Sequence, residues 1–174
     1  MKVLGIDTTA DDTCAAVVED GKTILANVIF SQSKLHEKFG GIVPQIAAFE
    51  HLKNVLPSVE VALKEAATDF SGIDLFAVGL SPDPALNYYF ISLNSAKVFS
   101  SIFRKPLVGV DHMEGHIFAN FAQHSDIVFP FVSLTVAGGH TILSFVTDFG
   151  RYEILGQTRD DAAGEAFDKI ARLL

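Results

Sequence analysis

Lys2-Val3-Leu4-Gly5-Ile6-Asp7 and Thr13-Cys14-Ala15-Ala16-Val17-Val18-Glu19, with Asp20-Gly21 leading into an apolar run over 23–30, decide the fold. Each run is short and bounded by polar or turn residues, which predicts strands at 2–7, 13–19 and 23–30. Asp20-Gly21 is a hairpin signal because glycine accepts a positive φ freely. The same order returns further along the chain. Strands are expected at 130–136, 141–147 and 151–156, with Ala137-Gly138-Gly139-His140 and Asp148-Phe149-Gly150 as turns. A repeat this long predicts a duplicated α/β unit rather than a solenoid. A boundary near 125 gives a first lobe over 1–125 and the start of a second over 126–174. The second stretch, about 50 residues, is too short to build the same core by itself.

Helices and crossover strands fill the space between the two meanders. Pro44 suits a first helical turn, where its missing N–H bonds nothing. Ile46, Phe49, Leu52, Val55, Leu56, Val59 and Leu63 then follow at helical spacing, and Pro57 is expected to divide this stretch into two helices. Further strands are expected at 74–80 and 107–110, and helices at 86–103, 112–123 and 162–174.

Composition narrows the class. Hydrophobic residues make up 49% of the 174 and charged residues 20%, which excludes wholesale disorder. No apolar run reaches the length of a membrane span, and Met1 to Asp7 turns polar too soon for a secretory signal. The single Cys14 cannot form an internal disulfide and reads as a small buried strand residue, so a cytoplasmic location is expected. Thirteen Lys plus Arg against 21 Asp plus Glu give a net charge of −8. Such a surface repels phosphate backbones on average, and only Arg104-Lys105 are adjacent basic residues. A stand-alone nucleic-acid binder is therefore not expected.

Three segments could carry chemistry. In His112-Met113-Glu114-Gly115-His116 the two histidines share a helix face, and two imidazoles so placed can ligate one metal ion. Spacing alone leaves open whether they are ligands or merely half-buried side chains. Asp111 suits the N-cap, with Glu114 completing a capping box. The helix dipole at His112 is expected to favour neutral imidazole. Glu114 does not directly follow the first histidine, unlike the zinc-peptidase pattern, and points elsewhere. Val136-Ala137-Gly138-Gly139-His140 is either a plain hairpin or a turn whose N–H groups meet a phosphate. Asp11 and Asp12, in the corresponding first-lobe loop, are either turn residues or a base and a positioning group. Asp160 and Asp161 suit a helix start, with Asp168 on the same face as Asp161. His36, His51 and His124 have no evident partners in the sequence.

Together, Gly5 to Thr13, Phe39-Gly40-Gly41-Ile42-Val43-Pro44, His112 to His116, Gly138-Gly139-His140-Thr141 and Asp160 to Lys169 resemble the tRNA threonylcarbamoyladenosine transferases, known earlier as O-sialoglycoprotein endopeptidases. The resemblance implies an α/β fold of the actin-like ATPase (ribonuclease H-like) type, duplicated, with the first lobe complete and the second truncated. It implies transfer of threonylcarbamoyl from threonylcarbamoyl-adenylate to N6 of adenosine 37 in tRNAs reading codons that begin with A. By the resemblance, His112 and His116 hold one divalent metal ion, iron or zinc. Val136, Ala137, Gly138, Gly139 and His140 bind an ATP or adenylate ligand and Asp168 its ribose, while Asp11 and Asp12 serve the acyl transfer. The partners implied are tRNA, reached through other proteins, and a second copy or a shorter paralogue in a homodimer or heterodimer. The second reading is an inactive paralogue that only dimerises with a full-length transferase. Family members are about twice this length, and the remaining half would carry a third metal ligand, an Asp. Asp12 stands where the family has Glu, and Ser81 to Asn87 lacks the family's Gly-Pro-Gly turn.

Overall fold

The computed structural model describes residues 1–80, 88–124, 126–171 and 173, so the Ser81 to Asn87 departure lies outside the described residues. The chain packs as two compact units, Met1–Gly115 and His116–Leu174. The sequence reading put the division near 125.

The first unit is built on a five-stranded sheet of order β3-β2-β1-β4-β5. Its strands are β1 (Lys2–Asp7), β2 (Asp12–Glu19), β3 (Thr23–Ser31), β4 (Leu75–Leu80) and β5 (Leu107–Asp111). The first three form an antiparallel meander, while β4 runs parallel to β1 and β5 parallel to β4. Asp20 and Gly21 take up φ of 52° and 68° at the β2–β3 turn, the conformation their sequence signals. Parallel strands need crossovers, and here these are α2 (Pro44–Glu65) and α3 (Tyr89–Phe103), preceded by a short α1 (Ser33–Glu37). Only one face of the sheet is fully buried. Leu4, Ile6, Ala15, Val17, Ala26, Val28, Phe76 and Val78 alternate along their strands and meet Val55, Val59, Ala62 and Leu63 of α2 and Ala96 of α3. Each Val, Leu or Phe so buried contributes about 1.5–3 kcal/mol.

Pro57 does not divide α2, which is one helix of 22 residues. The residue is exposed, so the carbonyl left without its partner N–H faces water rather than the core. The buried stripe Ala47, His51, Val55, Ser58, Val59, Ala62 and Leu63 runs unbroken past it, and sheet packing holds the helix together. The helix expected at 112–123 is α4 (His112–Phe118) followed by a 3-10 turn, Ala119–Ala122.

The second unit carries an antiparallel meander of order β6-β7-β8, formed by β6 (Phe131–Ala137), β7 (His140–Asp148) and β8 (Arg151–Gln157), then α5 (Ala163–Ala171). His140 belongs to β7 rather than to the turn: it pairs with Ala137, and only Gly138 and Gly139 connect the strands. Phe118, Phe121, Phe129, Phe131 and Phe149 stack into an aromatic cluster with neighbouring ring centroids 5.0–5.9 Å apart. The other face of β6 exposes Val132, Leu134 and Val136, and among the described residues β6 is paired on the β7 side alone.

Candidate functional site

Because β1, β4 and β5 are parallel, Asp7, Leu80 and Asp111 end their strands at one edge of the sheet. That edge is where open α/β sheets hold their ligands. Asp111 starts α4 there: its Oδ1 accepts from the N–H groups of Met113 (2.8 Å) and Glu114 (3.1 Å), as the capping pattern predicts. His112 follows, and His116 lies one helical turn further along α4.

Asp7 orients His112. Its Oδ2 lies 3.0 Å from His112 Nδ1, and its Oδ1 accepts from the Thr9 N–H at 2.7 Å. Gly79 makes room for this carboxylate; a Cβ there would stand 2.7 Å from Asp7 Cγ. The helix dipole is expected to favour neutral imidazole at His112, and Asp7 acts in the opposite direction. The bond to Asp7 holds the imidazole above its ordinary pKa, against burial. The terminus of a seven-residue helix is outweighed by a full carboxylate at hydrogen-bonding distance. Burial pushes Asp7 up, but the bonds from His112 and Thr9 prevail and bring it below the ordinary carboxylate value. No local pattern marks Asp7 as a partner of a histidine 105 residues away; the strand order alone brings them together.

The donor chemistry fits a metal ion in part. A histidine that gives Nδ1–H to a carboxylate presents Nε2 as the ligating atom, and this is the common arrangement behind zinc and iron ligands. Among the described residues, no three His, Cys, Asp or Glu side chains gather as a complete site.

The Thr8–Asp12 loop leaves β1 at the same edge. Thr8 Oγ1 donates to the Tyr88 carbonyl (2.8 Å) and accepts from the Ser92 N–H (3.1 Å), tying the loop to the start of α3. Ala10 sits at φ 61°, and the Asp11 carbonyl accepts from the Gln32 N–H at 2.8 Å. Asp12 opens β2. Its Oδ1 and the Thr9 Oγ1 are buried and have no hydrogen-bond partner among the described residues. Cys14, across from Asp7 in the ladder, has its thiol pushed up to about 12 by burial and then by Asp7 and Asp12, which disfavours the thiolate.

In the second unit the Gly138-Gly139 turn lies against the start of α5. Gly138 takes φ 53°, and a Cβ on Gly164 would come within 2.6 Å of the Gly138 carbonyl oxygen. Thr141 Oγ1 accepts from the Ala163 N–H at 3.0 Å, fastening helix to hairpin. Val136 and Gly138-Gly139 are exposed, Ala137 and His140 half-buried, and Asp168 exposed on α5. Asp161 pairs with Lys169.

A meander continued by two parallel crossover strands, with polar loops collected at the strands' carboxyl ends, is a lobe of the actin-like ATPase class. Solved structures share this fold. YeaZ from Pseudomonas aeruginosa superposes with a TM-score of 0.60 at 16% identity, over 90% of this chain and 66% of that one. The (R)-2-hydroxyglutaryl-CoA dehydratase component A of Acidaminococcus fermentans does so at 0.55 and 14% identity, over 99% of this chain and 54% of that one. The family model described as tRNA N6-adenosine threonylcarbamoyltransferase (TsaD) matches residues 23–174. A protein of that name from Clostridium kluyveri is 49% identical across 100% of this chain and 51% of its own length. One from Dictyoglomus turgidum is 47% identical across 100% of this chain and 52% of its own. The chain belongs to the tRNA N6-adenosine threonylcarbamoyltransferase family, and it spans about half the length of these curated relatives. No helix among the described residues is long and apolar enough to cross a membrane.

Proposed function

We propose that this chain works in the cytoplasm in forming threonylcarbamoyladenosine at position 37 of tRNAs reading ANN codons. It contributes the first actin-like lobe and the start of the second. The Asp7–His112 bond carries the reading. A dimerisation module needs no histidine held by a half-buried carboxylate, with a second histidine one turn away.

In this reading His112 and His116 hold iron or zinc, which when bound supplies Lewis-acid polarisation of the carbamoyl carbonyl. The Asp7 bond to His112 Nδ1 leaves Nε2 as the atom that would ligate a metal. Val136 to His140 receive the adenylate on the turn's N–H groups, and Asp168 takes the ribose hydroxyls. The adenosine N6 amine attacks the carbamoyl carbon, a C–N bond forms, and the bond to the adenylate phosphate breaks, releasing AMP. Asp12 accepts the proton that the amine sheds, consistent with an Oδ1 that has no partner among the described residues, and Asp11 orients the amine. The acidic surface leaves tRNA to be delivered by another protein.

The test is reconstitution with threonine, bicarbonate, ATP, tRNA and the adenylate-forming enzyme, plus a polypeptide matching the relatives' other half. Modified tRNA that disappears in His112→Ala, together with a metal content that falls in the same variant, is expected. Unchanged metal and unchanged product in that variant would refute the reading.

A second reading, a dimerisation partner of a full-length transferase, is favoured by one observation. Phe49, Leu52 and Leu56 line the outer face of α2, the first two 63% and 66% exposed, with Phe39 and Ile42 exposed in the preceding loop. Such a patch marks an interaction surface. Product formed only when a full-length transferase is added, and then increased by this chain, would favour it.

A further inference from the structure

A buried polar chain runs through the first unit, and its two ends are backbone groups of fixed polarity. At one end the Val43 N–H donates to His36 Nδ1 at 3.3 Å. His36 Nδ1 is therefore bare, and its Nε2–H donates to Gln32 Oε1 at 3.0 Å. With its oxygen so assigned, Gln32 turns Nε2 toward the Ala47 carbonyl (3.4 Å) and His51 Nδ1 (3.3 Å). The Thr13 hydroxyl donates to that same Nδ1 at 2.8 Å. His51 thus carries its hydrogen on Nε2, and gives it to the Ala10 carbonyl at 3.0 Å. A carbonyl can only accept, so the far end agrees with the near end. Thr13, Gln32, His36 and His51 are all buried, and His51 is 0% exposed.

We propose that His51 is the positioning residue of the Thr8–Asp12 loop, a neutral imidazole locked as its Nε2–H tautomer by Gln32 and His36 and holding the Ala10 carbonyl. Ala10 lies in the left-handed region, where a non-glycine residue persists only if its surroundings over-determine it. Two bonds flank that strained residue: His51 to the Ala10 carbonyl and the Gln32 N–H to the Asp11 carbonyl. Together they set where Asp11 and Asp12 stand. The fields of Asp7, Asp11 and Asp12 reach His51 and favour its cation, yet burial outweighs them and keeps its pKa below the ordinary value. The Tyr88 ring, with its centroid 5.8 Å away, covers another side. A proton on Nδ1 would oppose the Gln32 amide donor. The functional consequence rests on the reading of Asp11 and Asp12 as the reacting carboxylates.

The test uses the full chain. Imidazole ¹⁵N shifts are expected to show both His36 and His51 as neutral Nε2–H tautomers at pH 7; an Nδ1–H tautomer or an imidazolium at His51 overturns the proposal. This measurement needs no substitution, so it decides even where a variant does not fold. The loop claim is tested with His51→Gln and His51→Asn. The glutamine amide reaches the Ala10 carbonyl as Nε2 does, whereas asparagine keeps only the acceptor facing Thr13. Exchange of the Gln32 amide, which is bonded to the Asp11 carbonyl, should rise about 10-fold in His51→Asn and stay within about threefold in His51→Gln. Equal effects of the two variants overturn positioning through Ala10. In the reconstituted reaction His51→Asn should lower kcat with KM unchanged, and His51→Gln should restore it. If Asp12→Asn leaves transfer intact, the reading of Asp12 fails, while the tautomer and exchange results still decide the positioning claim by themselves.

Discussion

Gly164→Ala sets two forces of opposite sign against each other. Ala stabilises a helix interior over Gly by about 1 kcal/mol, and Gly164, the second residue of α5, should show part of that gain. The structure puts the new methyl 2.6 Å from the Gly138 carbonyl oxygen, 3.1 Å from its Cα and 3.2 Å from its nitrogen. All three are backbone atoms of a turn held between paired strands, so relief requires helix and hairpin to part by roughly 0.7 Å or more, and overpacking of this kind costs about 1–3 kcal/mol. The net expectation is a loss of about 1 kcal/mol, which for a unit of this size lowers Tm by about 4–8 °C. Thermal unfolding with amide exchange of α5 measures it. Gly156→Ala is the control, because a Cβ there meets nothing within 4 Å. A Gly164→Ala protein more stable than the parent, with the Gly138 amide resonance unmoved, would show that α5 does not rest on the turn.

Gly79→Ala should unseat the Asp7 carboxylate and bring the His112 pKa back toward its ordinary value, read by NMR titration; a titration like the parent's would refute the packing argument. Cys14, with its thiol near 12, should react with iodoacetamide at pH 8.5 about 1,000-fold more slowly than an exposed cysteine, and rapid labelling would contradict its burial. Because folding lowers the His51 pKa, the unfolded chain takes up a proton below about pH 6.5 that the folded chain refuses, so this group's contribution to stability declines as pH falls through that value. His51→Gln should flatten that part of a urea-midpoint profile against pH. Leu52→Asp on the outer face of α2 should leave Tm within about 1–2 °C while abolishing any association of the chain in sedimentation.

The meanders were legible because their signals are local. Asp20-Gly21 and Gly138-Gly139 turn where their backbone freedom allows, and the strands they join are short apolar runs; β1 and β2 bury alternate residues, whereas β8 is exposed along its whole length. Pro57 was misread because the effect of a proline depends on which way its face points, and that is fixed by a sheet distant in sequence. The short α1 offers too few turns for a periodic signal. Of the candidate site residues, His112 and its cap Asp111 could be read from one segment. Asp7 could not, since its role depends on strand order. His36 and His51, which had no evident partner along the chain, find theirs in Gln32, Thr13 and two backbone groups, the last of them 41 residues away.

β6 has one further consequence, and it concerns handling. Its outward face presents Val132, Leu134 and Val136, and among the described residues one flank of its backbone has no ladder. A strand in that state is a template for any extended chain that meets it. Purified stocks should cloud with rising concentration, and the onset should move to higher concentrations when Leu134 is replaced by Lys.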